Sequence, residues 1–180
     1  RYYRENPKEI SDPSMLGSVQ KEWLKERLKS SKATFKIIAS SVPWAKDTKP
    51  GSDDTWDGFP EEREELFSFI EENKIEGVVL LSADRHRSDA WKIKRPNGYP
   101  FYDLMSSRLT NIHTHDILQE SLFGYNKKCS FGTLEFDTTI DDPSVTYTIK
   151  NIDNEEIHKM TLYKSQLDFK RDMVKNKKMK

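Results

Sequence analysis

The chain has 180 residues, which fits one domain or one half of a larger one, because a single core grows to about 250 residues before splitting. Its 30 basic and 30 acidic residues cancel, so no global field directs it to nucleic acid or to an anionic membrane surface. Cys129 is the single cysteine, which excludes an internal disulfide and a zinc site built from thiolates. No apolar run approaches the roughly 20 residues of a membrane helix, so we expect no transmembrane segment. From the balanced charge we also expect no nucleic-acid partner.

The first half of the chain predicts an α/β layered arrangement. A helix over 17–29 is followed by an apolar, β-branched strand over 34–40. Pro60 opens a second helix that continues to Glu72, and a second apolar strand covers 77–82. Strand, helix and strand in this order predict parallel neighbours joined by a crossover. The stripe of the first helix that we expect to pack consists of Val19, Trp23, Leu24 and Leu28.

The second half predicts an antiparallel meander of short alternating segments joined by turns. We place these segments at 90–94, 101–106, 132–137, 145–150 and 157–163. One face is expected to be covered by Phe131, Leu134, Phe136, Val145, Tyr147 and Ile149, while Thr146, Thr148 and Lys150 point to water. From Lys164 the composition becomes basic, which predicts a disordered tail or a short helix over 164–180.

The strongest chemical signal lies directly after the second apolar strand. Asp84 and His86 stand two residues apart at the carboxyl end of that strand, where ligand sites of α/β sheets occur. A carboxylate and a neutral imidazole together suit iron, zinc, manganese or mixed metal sites. By spacing alone, an Asp and a His on a loop are more often solvated or capping groups. The long irregular loop over 42–59 is a second functional candidate, because loops of this length in compact domains tend to carry function.

Several segments in the same order resemble the carboxyl-terminal half of the PhoD-like alkaline phosphatases, and the resemblance extends over 14–162. They are LGSVQKEWL at 16–24, SSVPW at 40–44, DTWDGFPEER at 54–63, LSADRH at 81–86, YDLMSSRLT at 102–110, and the segment 126–137. The resemblance implies half of a four-layer α/β/β/α metallophosphoesterase sandwich, with a mixed sheet followed by the meander. Residues 1–163 are then the carboxyl-terminal part of that domain, and the chain is expected to begin within a longer protein.

The family resemblance also implies an activity. It implies a dinuclear or multinuclear metal site that holds iron with calcium or other divalent ions. At such a site a metal-activated water attacks phosphate monoesters or diesters. An amino-terminal segment absent from this sequence is expected to supply the other ligands, and one sheet face lined by Phe35, Ile37, Val79 and Leu81 is expected to lack its remaining strands. Location in the periplasm, on the cell surface or in the medium is expected from the same resemblance.

Residue by residue, the resemblance implies Asp84 and His86 as metal ligands, with Ala83 in the place of the usual Gly of that motif. Asp57 and Trp56 are implied at the border of the active site, and Arg85 is the candidate phosphate contact.

Several alternatives stay open at this point. Trp44 and Trp56 either wall a substrate pocket or pack the long loop. His113 and His115 either form a metal pair or are solvated loop residues, which we favour, and His158 is expected at the surface. The rival function is a non-catalytic α/β binding or interaction module that never assembles a full metal site.

Overall fold

A computed structural model describes residues 4–110 and 112–169. Its helices and strands agree with most of the expected segments, and one strand, Phe123–Tyr125, was not anticipated. The elements are α1 Gly17–Ser30, β1 Lys36–Ala39, α2 Pro60–Glu72, β2 Val78–Ser82, β3 Ser88–Ile93, β4 Phe101–Met105, β5 Phe123–Tyr125, β6 Ser130–Asp137, β7 Ser144–Asn151 and β8 Glu156–Tyr163, with short 3-10 helices at Trp56–Gly58 and Lys164–Gln166.

The first sheet has five strands in the order β1-β2-β4-β3-β5. β1, β2 and β4 are parallel, whereas β3 is antiparallel to β4 and to β5. β3 and β4 therefore belong to this mixed sheet and not to the meander, which corrects the sequence-based assignment. Alternation alone could not separate them, because an antiparallel hairpin has the same pattern whichever sheet its outer strand joins.

The second sheet is the antiparallel meander β6-β7-β8. Val145, Tyr147 and Ile149 are buried as predicted. Phe131 is 42% exposed, because it lies an odd number of positions from Leu134 and so points to the opposite face. The expected cover of this face was wrong for Phe131 and for Phe136, and Thr148, expected in water, is buried.

The burial of apolar residues agrees with the prediction on α2 and differs from it on α1. Leu66, Phe67 and Ile70 form the buried stripe of α2 as expected. On α1, Val19 is 75% exposed and Trp23 is 54% exposed, so the predicted packing of its apolar stripe is wrong for both residues.

The sheet face that was expected to be open is largely covered. Val79 is fully buried and Leu81 and Phe35 are half-buried. Ile37, on the edge strand β1, is 38% exposed. Part of the exposed apolar surface therefore lies along α1 and β1, at Val19, Trp23 and Ile37.

Several contacts among the described residues join the two sheets. The Tyr147 hydroxyl donates to the Met105 carbonyl at 2.8 Å, and the hydroxyls of Ser88 and Ser130 are 3.0 Å apart. His158 stacks on Phe123 with ring centroids 4.0 Å apart, so it is half-buried and not at the surface as predicted.

Beyond β8 the first residues of the expected tail are packed on the domain. Leu167 is fully buried, and Phe169 lies against the core. Residues 170–180 lie outside the described part of the chain, so the tail over 164–180 stays a prediction beyond residue 169. Within the described residues no helix combines the length and apolarity needed to cross a membrane.

Candidate functional site

The loop that follows β2 has an unusual backbone. Asp84 has φ 79° and His86 has φ 48°, both in the left-handed region that residues other than Gly rarely occupy. Such conformations cost about 1–3 kcal/mol each and cluster at functional sites. Ala83 itself is not among the residues of positive φ, so the replacement of the usual Gly by Ala introduces no strain of this kind.

Three imidazoles meet beside this loop. His86 follows β2, whereas His113 and His115 lie on the segment between β4 and β5, and one ligand atom of each lies within 4.8 Å of the others. The ring centroid of His86 is 5.7 Å from those of both other rings, which are themselves 4.8 Å apart. The geometry therefore favours the metal-pair alternative for His113 and His115 over the interpretation that we preferred from the sequence.

Hydrogen bonds tie the two histidine-bearing segments together. The Thr114 hydroxyl donates to the His86 carbonyl at 3.0 Å, and the Asn126 side-chain amide donates to the His115 carbonyl at 3.0 Å. His86 Nδ1 is buried and has no hydrogen-bond partner within the part of the chain that the structure describes. An unsatisfied buried nitrogen is costly unless something else binds it, and a metal ion satisfies it directly.

Positive charge surrounds the cluster. Burial lowers the pKa of His115, and Arg85, the two neighbouring imidazoles and Arg87 lower it further. The neutral imidazole is therefore favoured, and it is the form that binds metals. The charges of Arg85 and Arg87 also favour a bound anion at this position.

Asp84, the second implied ligand, lies on the same loop but is not a member of the three-imidazole group. Its Oδ2 is 3.8 Å from Lys49 Nζ, which also contacts Asp54 Oδ2 at 2.6 Å. The carboxyl group is about one third exposed, so it is open to a ligand. Its role as a metal ligand stays a prediction.

Two arginines of the loop are anchors in this structure. Arg85 Nε and Arg87 Nη2 donate to the Thr48 carbonyl at 3.1 Å and 3.3 Å, and both side chains are almost entirely buried. Arg87 also pairs with Asp89 at 2.6 Å. They fix the long loop against the loop after β2. The phosphate contact expected of Arg85 stays a prediction.

The two tryptophans of the long loop pack it in place. Trp44 and Trp56 stack with ring centroids 4.2 Å apart and an interplanar angle of 12°, and each is at most 2% exposed. Their indole nitrogens donate to the Leu81 carbonyl and to the Ser40 hydroxyl. Both rings also line a groove of about 420 Å³ beside α1 and β1, so they pack the loop and wall a cavity at the same time. Their role in substrate binding stays a prediction.

Asp57 is also engaged within the loop. Its Oδ2 accepts the Asp47 backbone N–H at 2.9 Å and its Oδ1 is 3.7 Å from Arg63 Nη1. Burial raises the pKa of this carboxyl, and the Asp47 N–H and Arg63 oppose that change. A catalytic role for Asp57 stays a prediction.

Sequence reasoning missed Asp103. It lies in the middle of the buried strand β4, fully shielded, and accepts bonds from the Trp44 and Ala45 N–H groups and from the Ser82 hydroxyl at 2.7–3.0 Å. A lone aspartate inside the apolar segment FYDLM was the available signal, because a buried carboxyl needs partners.

Comparison with known proteins gives consistent results. The family described as PhoD-like phosphatase matches residues 2–151. Alkaline phosphatase D of Bacillus subtilis (strain 168) is 36% identical over 81 residues, which cover 42% of this chain and 14% of that protein.

Two solved structures share the fold. A structure of PhoD has a TM-score of 0.60 at 19% identity, and the match covers 88% of this chain and 38% of that one. GAP50, the anchor in the inner membrane complex of Plasmodium, has a TM-score of 0.50 at 15% identity, with coverage of 87% and 46%. This chain therefore spans less than half the length of each relative, and its fold is a partial metallophosphoesterase-like fold, as expected. Because the family match covers most of its length, the chain belongs to the PhoD-like phosphatase family.

Proposed function

We propose that this chain carries part of the active centre of a metal-dependent phosphoester hydrolase, which acts on phosphate monoesters or diesters by attack of a metal-activated water. Membership of the PhoD-like phosphatase family supports the reaction class. The observation that carries the location is the meeting of His86 with two further imidazoles at the carboxyl end of β2. Active sites of α/β sheets lie at this edge.

The residues present fit a metal ion. His86 Nδ1 is buried without a hydrogen-bond partner among the described residues, and His113 and His115 bring their ligand nitrogens to within 4.8 Å. Asp84, on the strained loop between β2 and His86, is the carboxylate best placed along the chain to extend this set. The identity of the metals, iron with calcium or other divalent ions, belongs to this proposal.

A metal bound by these residues supplies a Lewis acid for the phosphoryl oxygens and acidifies a bound water. The chain's own residues would bind the metal and orient the ester. His86 would hold the metal, and Arg85 and Arg87 would provide the positive field that attracts an anionic ester toward the imidazoles. Asp57, a half-buried carboxyl whose pKa is raised by burial, is the proposed residue of the long loop that borders the substrate.

A two-metal centre needs more ligands than this chain brings together among its described residues, so we propose that a further segment of the same polypeptide completes it. The chain spans 38% of the PhoD structure and 14% of alkaline phosphatase D. A groove of about 420 Å³ between α1 and β1, with the exposed Trp23 and Ile37 on its rim, is a suitable apolar contact for such a segment. Export to the periplasm, cell surface or medium belongs to the same proposal.

The test is to measure hydrolysis of p-nitrophenyl phosphate and of bis-p-nitrophenyl phosphate by the full-length protein that contains this chain, supplied with iron, calcium or zinc. We expect His86→Ala and Asp84→Asn to lower kcat/KM by at least about 100-fold, since metal ligands hold the reacting centre. His158→Ala is the matched control, because it removes an imidazole elsewhere, and it should stay within about twofold of the wild type.

Full turnover by the His86→Ala protein would overturn the assignment of the site. A metal-loaded wild-type protein that hydrolyses neither ester would overturn the reaction and favour the rival function, a non-catalytic interaction module.

A further inference from the structure

His86, His113 and His115 differ from the ligand set that the family resemblance implied, because they offer three imidazoles and no carboxylate. They come from two segments that are 27 or more residues apart along the chain, yet one nitrogen of each lies within 4.8 Å of the others. Three of the four histidines of the sequence lie together beside a strained loop, which favours a shared role over chance proximity. The fourth, His158, stacks on Phe123 at the junction of the two sheets.

Hydrogen bonds hold the backbones of His86 and His115 in place. Thr114 stands between two of the histidines, and its hydroxyl donates to the carbonyl of the third at 3.0 Å. Asn126 donates to the His115 carbonyl from the end of β5, and Arg108 donates to the Asn126 carbonyl. These bonds fix the backbones that carry His86 and His115 relative to each other, so that the two rings start from a defined separation.

The chemistry of three imidazoles selects the class of metal. Neutral imidazole suits zinc, copper, nickel, cobalt and iron, whereas calcium and magnesium require oxygen ligands. Three protein ligands with a free fourth position form the arrangement of catalytic zinc sites, and a structural site is usually closed by four. His86 Nδ1, buried and without a partner in the described part of the chain, is the nitrogen that gains most from coordination.

The distances permit such a site after a small closure. Nitrogens that share a tetrahedral zinc at about 2.0–2.1 Å lie about 3.3 Å apart. The ligand nitrogens now lie within 4.8 Å of one another, so they must approach by up to about 1.5 Å. His113 is exposed and His115 and His86 are half-buried, so side-chain rotation can supply the movement without rearranging the sheet.

We propose that His86, His113 and His115 bind one zinc-class transition-metal ion within this chain, with a fourth coordination position left open to water or a phosphate oxygen. The proposal shares His86 with the proposed function, on which its phosphate ligand rests. The binding of the ion itself requires neither hydrolysis nor any ligand from outside these 180 residues.

The test is titration of the metal-free 180-residue protein with Zn²⁺ by calorimetry, followed by Co²⁺ substitution and visible absorption spectroscopy. We expect one ion per chain, no displacement by millimolar Ca²⁺ or Mg²⁺, and a Co²⁺ spectrum of four-coordinate intensity. His113→Ala, at an exposed position where folding is not at risk, should weaken zinc binding by at least about 10-fold, and His158→Ala should not change it.

A second pair of variants tests the scaffold. Thr114→Val should weaken zinc binding by about 2–10-fold, which corresponds to the loss of one hydrogen bond, while Thr114→Ser, which keeps the hydroxyl, should restore it. Zinc binding by His113→Ala with wild-type affinity, an equal loss in His158→Ala, or displacement of zinc by Ca²⁺ would each overturn the proposal. Because these readouts contain no substrate, zinc binding without ester hydrolysis contradicts only the proposed function, and hydrolysis without zinc binding contradicts only this inference.

Discussion

The two sheets of the molecule differ in the kind of residue that they bury. The three-stranded sheet has regular pairing along its whole length apart from one bulge, and three of its buried positions, Val145, Tyr147 and Ile149, follow simple alternation. The five-stranded sheet and its loop place polar residues in the interior, including Arg87, Asp89 and Asp103, each at most 1% exposed. The polar residues buried in the three-stranded sheet, Ser130, Ser144, Thr148 and Asn151, carry no charge. The five-stranded sheet and its loop bury charged groups, and such groups need partners.

The difference has a backbone counterpart. Six described residues other than Gly have positive φ. Asp84, His86 and Arg108 lie near the carboxyl edge of the five-stranded sheet, whereas Asn154 is the only one of the six in the second sheet and its turns; the other two are Asp47 and Lys74. Strain of this kind persists where the surrounding contacts hold it. Arg85 and Arg87, bonded to the Thr48 carbonyl, are such contacts.

The largest expected effect comes from breaking the buried pair of the first sheet. Arg87→Met leaves the Asp89 carboxylate buried without its partner, and we expect the free energy of unfolding to fall by about 3–5 kcal/mol in urea titrations. The double variant Arg87→Met with Asp89→Leu removes both charges and should regain more than half of that loss. A single variant as stable as the wild type would show that the pair does not hold this part of the sheet.

A smaller effect is expected from overpacking the second sheet. A Cβ at Gly132 would lie 2.5 Å from Tyr147 Cε2, so Gly132→Ala must displace the ring whose hydroxyl donates to the Met105 carbonyl. Overpacking of this kind costs about 1–3 kcal/mol, and thermal unfolding followed by circular dichroism measures it. Gly51→Ala is the spatial control, because no atom of the described residues lies within 4 Å of the point its Cβ would occupy, although its φ of 75° adds backbone strain. An unchanged Gly132→Ala protein would mean that the tether between the sheets is dispensable.

The smallest effect concerns pH and the junction of the sheets. Burial lowers the pKa of His158 below its usual value, so the unfolded chain takes up the proton more readily than the folded one. The stability that neutral His158 contributes is present above the unfolded pKa of about 6.5 and is lost as pH falls below it. His158→Phe keeps the stacking on Phe123 and should reduce the loss of stability between about pH 7 and pH 5, measured by urea unfolding at both values. Equal losses in the variant and the wild type would contradict this role.

Much of the fold followed from local pattern. Pro60 and the acidic first turn predicted α2 with its observed bounds, Pro60–Glu72, and the apolar segment GVVLLS predicted β2. The assignment of β3 and β4 to the wrong sheet arose because alternation fixes which side chains face inward, and not which strand becomes the neighbour. Val19 and Trp23 were expected to be buried because a helical stripe indicates a partner surface without saying whether the same chain provides it.

Only part of the candidate site could be predicted from the sequence. His86 could be identified because it follows a buried strand directly and stands in a segment that resembles a known family. His113 and His115 could not be joined to it, because the meeting depends on the position of β4 between β2 and β3 and on the hydrogen bond from Thr114 to the His86 carbonyl. The strand order of the sheet brings together side chains that are distant in sequence, and spacing along the chain does not encode that order.

The most direct test of the account is X-ray absorption at the zinc edge of the zinc-loaded protein. We expect a first shell of nitrogen and oxygen at about 2.0 Å, with outer-shell scattering from three imidazoles that falls to two in His113→Ala and is unchanged in His158→Ala. A first shell of oxygens without imidazole scattering, or a spectrum that the loss of His113 leaves unaltered, would contradict a metal centre formed by His86, His113 and His115.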